Sequence, residues 1–314
     1  MARFVVRRVL TMILVLFAIS LLTFAIFEAI PSDPAVRLAG RHANPAQIAE
    51  VAHKYGFDKP FYVQYLRTMK NIFTGQAYSY TQGFSVNSEI RAGLPATLSL
   101  ALGAGILWLL ASIAVGTLAA VKAGRYMDRL LTVLSMMGVS FPPFFLGAVL
   151  IYFLGYKAHI FPLGDYVPLT KNPVQWLVHL VLPWFTLSVL FVGFYSRVLR
   201  STILDTINED FVRTAKAKGL SPGKVLSRHI LRNSLIPIIS LWGLDLAQVI
   251  GGGAILTESV YNLHGVGQLA AISIGSLDII PILVIVMFTA FAVVILAAVM
   301  DVVYAYLDPR IRLQ

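Results

Sequence analysis

The sequence predicts an all-α integral membrane protein with six transmembrane helices and with its N- and C-termini in the cytoplasm. Three observations support this fold class: an apolar composition, six long apolar runs, and basic residues that cluster in alternate connections. Of the 314 residues, 58% are hydrophobic and 13% are charged, and the mean hydropathy is +0.78. Because about a quarter of the residues in a soluble domain are usually charged, this composition excludes a soluble globular enzyme.

Each apolar run is long enough to cross about 30 Å of hydrocarbon as a helix, which takes roughly 20 residues. The runs cover residues 9–27, 97–121, 130–156, 173–196, 234–257 and 279–300. A chain in lipid must satisfy its own backbone groups, and runs this continuous lack the alternation of barrel strands, so they indicate helices. The pair Pro142 and Pro143 predicts a kink or break in the third run. The first run exceeds the usual core of a signal peptide, so we expect an uncleaved helix.

The basic residues indicate how these helices are oriented. The chain has 25 Lys and Arg against 15 Asp and Glu, a net charge of +10. Sixteen of the basic residues lie before the first run, in the second and fourth connections, and after the sixth run. Basic connections usually remain cytoplasmic, so the charge excess marks orientation and does not require nucleic acid as a partner. The chain contains no Cys, which excludes disulfides and Cys-ligated metals.

These patterns divide the chain into three parts. Residues 1–30 form an N-terminal cytoplasmic tip and the first transmembrane helix, residues 31–96 form a structured extracytoplasmic connection, and residues 97–314 form a five-helix core. In the connection, Asn44 and Gln47 predict a capping box that opens a helix ending at Gly56, and a second apolar stripe follows at helical spacing. Two readings stay open: short helices that pack against the membrane domain, or a platform where a delivery protein docks.

The fourth connection, residues 197–234, predicts a cytoplasmic helix–turn–helix. Good helix formers run to Lys218, and Gly219 then stands where a left-handed residue usually ends a helix. Ser221 offers an N-cap hydroxyl, with Pro222 at the first position of the next helix. This basic, polar segment either binds anionic lipid headgroups or docks onto a protein, and its charge fits both.

Two runs in this connection carry a resemblance to a known family. DFVRTAKAKGLS at residues 210–221 and HILRNSLIP at residues 229–237 closely resemble the membrane permeases of dipeptide, oligopeptide and nickel ABC importers. PSDP at residues 31–34, PATLSL at 95–100 and ESVY at 258–261 also resemble this branch, and the first of these fits its B-type sister permease. Two departures stand out. Arg213 replaces the Glu of the general E-A-A-x3-G motif, and Leu263-His264 replaces an aromatic-Pro pair.

The resemblance implies a type I ABC importer permease fold and a non-catalytic subunit in a bacterial or archaeal plasma (inner) membrane. It further implies a homologous second permease, two cytoplasmic ATPases that bind ATP and Mg²⁺, and an extracytoplasmic substrate-binding protein, with no cofactor or metal held by this chain. Segment 197–234 would then couple the permease to an ATPase. The expected ATPase-coupling residues are Asp210, Arg213, Thr214, Ala215, Lys216, Ala217, Lys218, Gly219, Leu220 and Ser221.

Charged residues in the apolar runs are the candidates for the translocation pathway, because burying charge in a membrane is costly. Asp245 lies in the fifth run beside Gln248, and its alternative role is an interhelical hydrogen bond or ion pair. Glu258 follows the same run and could be an interfacial or a gate residue. Gly243, Ala247 and Gly251 recur at the small-residue spacing that allows helices to approach closely, against the sister permease or another helix.

The resemblance implies import of di- or oligopeptides as the expected function, and three alternatives follow. The same scaffold could import nickel or another small solute. A membrane enzyme would need a motif such as G-x-S-x-G or H-E-x-x-H, which the sequence lacks. A stand-alone secondary transporter would show internal repeats or several charges within the membrane.

Overall fold

The computed structural model describes residues 2–29, 34–40 and 42–307, and the regular structure in these ranges is helical. The PSDP motif up to Asp33, together with Arg310 and Arg312, lies outside the described residues. Within the described ranges, fourteen α-helices occur: α1 (Ala2–Ala29), α2 (Pro34–Ala39), α3 (Pro45–Tyr55), α4 (Phe61–Phe73), α5 (Val86–Val121), α6 (Tyr126–Ser140), α7 (Pro143–Leu150), α8 (Pro173–Thr206), α9 (Asp210–Ala217), α10 (Pro222–Val225), α11 (Leu231–Gln248), α12 (Ile255–Val260), α13 (Val266–Gly275) and α14 (Ile279–Leu307).

Three short π-helical stretches continue some of these helices. They cover Ile151–Lys157 after α7, Leu226–Ile230 between α10 and α11, and Val249–Gly253 after α11. The second joins α10 to α11, and the third extends α11, which gives one long helix, Pro222–Gly253. That helix ends where Gly252 has a φ of 117°, a backbone conformation that favours glycine. The run of three glycines at residues 251–253 is therefore the point where the fifth long helix is interrupted.

In the described part of the chain, five helices are long and apolar enough to cross a membrane. They are Val9–Ile26 within α1, Val86–Val121, Pro173–Thr206, Pro222–Gly253 and Ile279–Val299 within α14. A sixth crossing results if α6 and the helical segment Pro143–Lys157 count as one span, although the two are bent by 96° where they meet. Pro142 and Pro143 occupy this break, as the sequence predicted, since proline cannot continue the hydrogen-bonding of the preceding helix.

The helices extend beyond the apolar runs that identified them. α5 begins at Val86, before the predicted start at residue 97, and α8 continues to Thr206, past the predicted end at residue 196. The fifth long helix begins at Pro222, before residue 234. Hydropathy detects only the part of a helix suited to hydrocarbon, so polar turns at the helix ends escape it.

The connection before α5 contains the two short helices that the sequence predicted. Asn44 and Gln47 exchange backbone-to-side-chain hydrogen bonds of 2.9 and 2.8 Å, and Gly56 ends α3 with a φ of 81°. α4 packs Tyr65 and Met69 against α1 and α14, whereas every side chain of α3 remains at least partly exposed. Of the two helices, α4 is therefore the one whose side chains are buried against the membrane helices.

α5 and α8 form the centre of the core and pack along each other. The Trp108 ring of α5 stacks on the Phe191 ring of α8, with 4.2 Å between their centroids. Gly116 allows close approach, because a Cβ there would lie 2.7 Å from the backbone oxygen of Ser196. This packed pair is the frame that α9, Asp245 and Glu258 contact.

Candidate functional site

α9 lies between two long helices, α8 and the helix that begins at Pro222. Its inner side consists of Val212 and Ala215, which are fully or almost fully buried. They belong to an apolar cluster with Leu199 and Ile203 of α8 and with Ile230. α9 is therefore seated on the protein's own core.

The opposite side of α9 is exposed, and we call it the α9 face. It consists of Asp210, Phe211, Arg213, Thr214, Lys216, Ala217, Lys218 and Leu220. The rings and methyl groups of Phe211 and Leu220 are 40% and 37% exposed, and they lie among three basic side chains. Arg213 approaches Asp210 at only 3.5 Å, which makes a weak ion pair at an exposed site. A surface with apolar anchors and a basic rim is suited to docking onto an acidic protein groove.

The turn after α9 agrees with the sequence at one position and differs at another. Gly219 has a φ of 76°, so it supplies the left-handed residue that was predicted. Ser221 precedes the next helix, but its side chain does not cap it, so the predicted N-cap hydrogen bond is wrong. Pro222 stands at the first helical position as expected, and its fixed φ starts the helix without that bond.

Ala215 also differs from its expected position in the docking surface. It was expected among the ATPase-coupling residues. Ala215 is instead 5% exposed and packs inward with Val212, because its position places it on the buried side of the helix. Within the coupling set, its contribution is to seat α9.

The ends of the two helices that carry α9 are joined by a buried hydrogen bond. The Ser234 hydroxyl of α11 donates to the Thr206 hydroxyl at the end of α8, at 3.2 Å. Ser234 is fully buried. This contact closes the base of the helix–turn–helix, so α9 is held from both sides.

An ion pair that the sequence did not indicate lies on the same side of the molecule. Arg200 of α8 donates two hydrogen bonds to the Asp128 carboxylate of α6, at 2.6 and 2.7 Å. The backbone N–H of Gly124 donates a third, at 2.8 Å. Asp128 is almost fully buried, so this bidentate pair fixes α6 against α8.

Asp245 forms the interhelical hydrogen bond that was its alternative role. The Tyr195 hydroxyl of α8 donates to its carboxylate at 2.6 Å, and Tyr195 is fully buried. Asp245 itself is half-buried, and Gln248 is exposed one turn later. The pair therefore presents a polar edge beside a packed interior.

The small-residue stripe of α11 packs against another helix of the same chain. Gly243 and Ala247 are buried. A Cβ on Gly251 would lie 2.9 Å from the Thr289 methyl group and 3.1 Å from a Val293 methyl group of α14. At Gly251 the close approach is thus internal.

Glu258 is fully buried within this chain and holds the start of α13. Thr97 of α5 donates to one carboxylate oxygen at 2.8 Å, and the backbone N–H of Gln268 donates to the other at 3.0 Å. The first backbone N–H groups of a helix have no partner within the helix, so a carboxylate beside them is electrostatically favourable. Burial raises the pKa of the Glu258 carboxyl above its usual value, although these hydrogen bonds offset part of the shift. Gly265 and Gly267 leave the space that the carboxylate occupies.

Asp278 is a second buried carboxylate, and the sequence did not single it out. It lies just before α14 and is 3% exposed. The Ser79 and Thr81 hydroxyls donate to it at 2.5 and 2.7 Å, and the Thr81 backbone N–H donates at 3.2 Å. Asp278 thus attaches the segment before α5 to the start of the last long helix. Only its partners, which are remote in sequence, could have revealed this role.

The pathway candidates are therefore not brought together into one site. Asp245 contacts α8, whereas Glu258 contacts α5 and α13. The residues around α9 do form one surface, carried by two long helices. Because α9 packs on α8 and the helix that begins at Pro222 and has an exposed basic face, a movement of a partner bound to that face would reach these two long helices.

Known proteins are similar to this chain over almost its full length. Residues 112–313 match the family described as "Binding-protein-dependent transport system inner membrane component", and residues 1–101 match its N-terminal counterpart. The oligopeptide transport system permease protein AppB of Bacillus subtilis is 35% identical, covering 99% of this chain and 100% of AppB. The probable D,D-dipeptide transport system permease protein DdpB of Escherichia coli is also 35% identical, covering 96% and 94%.

A solved structure has a similar architecture. It is an inward-facing form of the MetNI methionine ABC transporter, with a TM-score of 0.55. The match covers 70% of this chain and 96% of the other, at 15% sequence identity, so the likeness concerns the fold alone.

Proposed function

The chain belongs to the family of binding-protein-dependent transport system inner membrane components, and on this premise we propose that it is the permease subunit of an ABC importer for di- and oligopeptides. The names of its full-length relatives denote oligopeptide and D,D-dipeptide transport, which supports peptides as the cargo. The chain is a non-catalytic subunit of the plasma (inner) membrane, and ATP and Mg²⁺ are bound by partner ATPases.

The seating of α9 carries this proposal. Its buried side is continuous with the core of α8, while its exposed side offers Phe211 and Leu220 among basic groups. An interfacial helix that binds anionic lipid buries its apolar side in the membrane, whereas the apolar side of α9, Val212 and Ala215, is already buried in the protein core. The α9 face therefore docks into a groove of a cytoplasmic ATPase, and acidic residues at the rim of that groove pair with Arg213, Lys216 and Lys218.

The proposed topology follows from this docking. α6 and α7 together form one span that is bent at Pro142, which brings the number of spans to six. The basic second and fourth connections and both termini are then cytoplasmic, in line with the preference of basic connections for that side. α3 and α4 lie on the extracytoplasmic side, where a binding protein delivers the peptide.

Coupling in this proposal is mechanical. α9 is joined to α8 and α11, and the Ser234–Thr206 hydrogen bond holds the ends of those helices together. Closure of two ATPases on ATP moves α9, and the two long helices carry the displacement into the membrane. A homologous second permease lines the other half of the pathway, so that the pair alternates between outward and inward access.

Asp245 and Gln248 form the polar edge of the pathway in this proposal. Asp245 is half-buried and oriented by Tyr195, and Gln248 is exposed on the same helix. A carboxylate in this position suits the amino terminus of a peptide. Glu258 supports the pathway from behind by fixing α13 against α5, and it does not contact the cargo.

The direct experiment is purification of the tagged chain from native membranes, followed by reconstitution. We expect two ATPases and a second permease to co-purify, and the vesicles to accumulate a labelled dipeptide only with ATP and the binding protein. Uptake without ATP by vesicles containing this chain alone would contradict the proposal. ATP-driven uptake of Ni²⁺ that no peptide inhibits would assign the chain to the small-solute alternative.

A further inference from the structure

A cavity of about 370 Å³ lies between α3, α4, the segment before α5 and the first turn of α14. Its volume falls within the range of roughly 300–1,000 Å³ that is usual for small-molecule sites. The coupling and transport roles described above do not use this cavity.

The lining of the cavity is cationic. Lys54 of α3 and Arg67 of α4 contribute two positive charges, and Asn71 and Gln76 contribute amide groups. The lining residues include no Asp or Glu. The nearby Asp278 carboxylate is not among the lining residues, and it accepts hydrogen bonds from Ser79, which is one of them, and from Thr81. A concave site with two cations and no carboxylate among its lining residues is complementary to an anion.

Arg67 is held in place by the end of α3. Its guanidinium donates a long hydrogen bond of 3.4 Å to the backbone oxygen of Tyr55. It also lies against Gly56, where a Cβ would come within 2.5 Å of its Nη1 atom. Gly56 therefore provides both the left-handed turn and the space for the guanidinium. The Arg67 side chain is exposed, so its guanidinium can bind a carboxylate through two parallel hydrogen bonds.

Aromatic rings shape the same cavity. Tyr80 packs against both Tyr55 and Phe57, with centroid distances of 4.8 and 5.6 Å. Burial raises the pKa of the Tyr80 phenol above its usual value, although the positive charge of Arg67 offsets part of the shift. A neutral phenol can donate a hydrogen bond, and the rings beside it provide apolar contact for a small side chain.

We propose that this cavity binds the carboxylate of a small organic anion, about the size of an amino acid or a dipeptide, with Arg67 and Lys54 as its charge partners. Arg67 clamps the carboxylate, Lys54 adds a second cation at the mouth, and Asn71 and Gln76 orient the remainder of the molecule. This site is separate from the polar edge at Asp245, and it would exist whatever cargo the importer carries.

The experiment measures binding of N-acetylalanylalanine and of its C-terminal amide to the purified importer without its binding protein. The variants are Arg67→Gln and Lys54→Gln. Lys70→Gln, an exposed change on α4 away from the cavity, is the matched control. We expect the acid to bind and the amide not to bind. Arg67→Gln should lower the affinity for the acid about tenfold or more, because a charge-assisted pair is lost. Lys54→Gln should weaken it less, and Lys70→Gln should match the wild type.

Equal binding of acid and amide, or equal affinities of Arg67→Gln and Lys70→Gln, would overturn the proposal. Absence of acid binding, combined with a weaker complex between Arg67→Gln and the binding protein, would also overturn it and would make the cavity a protein-docking point. If Arg67→Gln fails to fold, Lys54→Gln decides, because its substitution is on the exposed end of α3. Peptide uptake, measured separately, keeps a failure of this proposal distinct from a failure of the transport assignment.

Discussion

The Tyr195 hydroxyl donates a 2.6 Å hydrogen bond to the Asp245 carboxylate and thereby joins α8 to α11. These are the same two helices that carry α9. The Ser234–Thr206 hydrogen bond joins them a second time, nearer to α9. Any displacement of α9 therefore acts on a pair of helices that are attached to each other at two levels.

The variant Tyr195→Phe tests the upper of these attachments. It keeps the buried ring and removes the hydroxyl, so Asp245 loses this donor. Because interhelical hydrogen bonds in membranes contribute about 0.6–2 kcal/mol, we expect the free energy of unfolding in detergent to fall by about 1 kcal/mol. The control is Tyr62→Phe, which removes a hydroxyl from an exposed ring of α4. Equal stabilities of the two variants would show that the Tyr195–Asp245 bond does not stabilise the fold.

The variant Arg200→Lys tests the ion pair between α6 and α8. Lysine keeps the charge but loses the fork that donates two parallel hydrogen bonds, so Asp128 stays buried with a poorer partner. We expect a loss of about 1–3 kcal/mol in stability, measured by thermal or denaturant unfolding of the purified complex. Arg129→Lys, at an exposed position of α6, should have no measurable effect. An Arg200→Lys variant as stable as the wild type would contradict the structural role of the pair.

The variant Glu258→Gln tests whether this residue is a buried support. A glutamine brings an N–H₂ group next to the N–H groups at the start of α13, where the carboxylate accepts hydrogen bonds from Thr97 and Gln268. We expect about 1–3 kcal/mol of destabilisation from the lost acceptor. The exposed Glu209→Gln is the control. Unchanged stability combined with altered peptide selectivity would indicate a pathway role instead.

The turn after α9 can be tested with two glycines that differ in one property. Gly219 and Gly223 both have open space where a Cβ would be, but only Gly219 has a positive φ. Gly219→Ala should therefore cost about 1 kcal/mol through backbone strain alone, whereas Gly223→Ala should be neutral. We expect faster hydrogen exchange in α9 for Gly219→Ala, measured by mass spectrometry. Identical exchange in both variants would show that the left-handed turn does not hold α9.

The sequence predicted those features of the fold that depend on neighbouring residues. The capping box at Asn44, the left-handed Gly219 and the break at Pro142 each follow from local backbone chemistry. The basic helix–turn–helix was found for the same reason. The sequence did not show that Ala215, one of the expected coupling residues, lies on the buried side of α9, since the side of a short helix that is buried depends on what lies beneath it.

The buried carboxylates could not be assigned from the sequence. Asp128, Glu258 and Asp278 have partners that are 72, 161 and 199 residues away along the chain. A single sequence contains no signal that pairs positions so far apart. The same carboxylate type can therefore suggest a pathway or an interface until the fold shows which donors surround it.

Photo-crosslinking from the α9 face tests the central claim, that this surface docks onto an ATPase. The photoreactive residue p-benzoylphenylalanine replaces Phe211 in the complete importer, and Tyr62 on α4 serves as an exposed aromatic control position. We predict that the residue at position 211 crosslinks to an ATPase subunit and that the yield changes when ATP is bound, while the residue at position 62 gives no ATPase crosslink. Crosslinks from position 211 to lipid alone, or to the binding protein, would contradict the account.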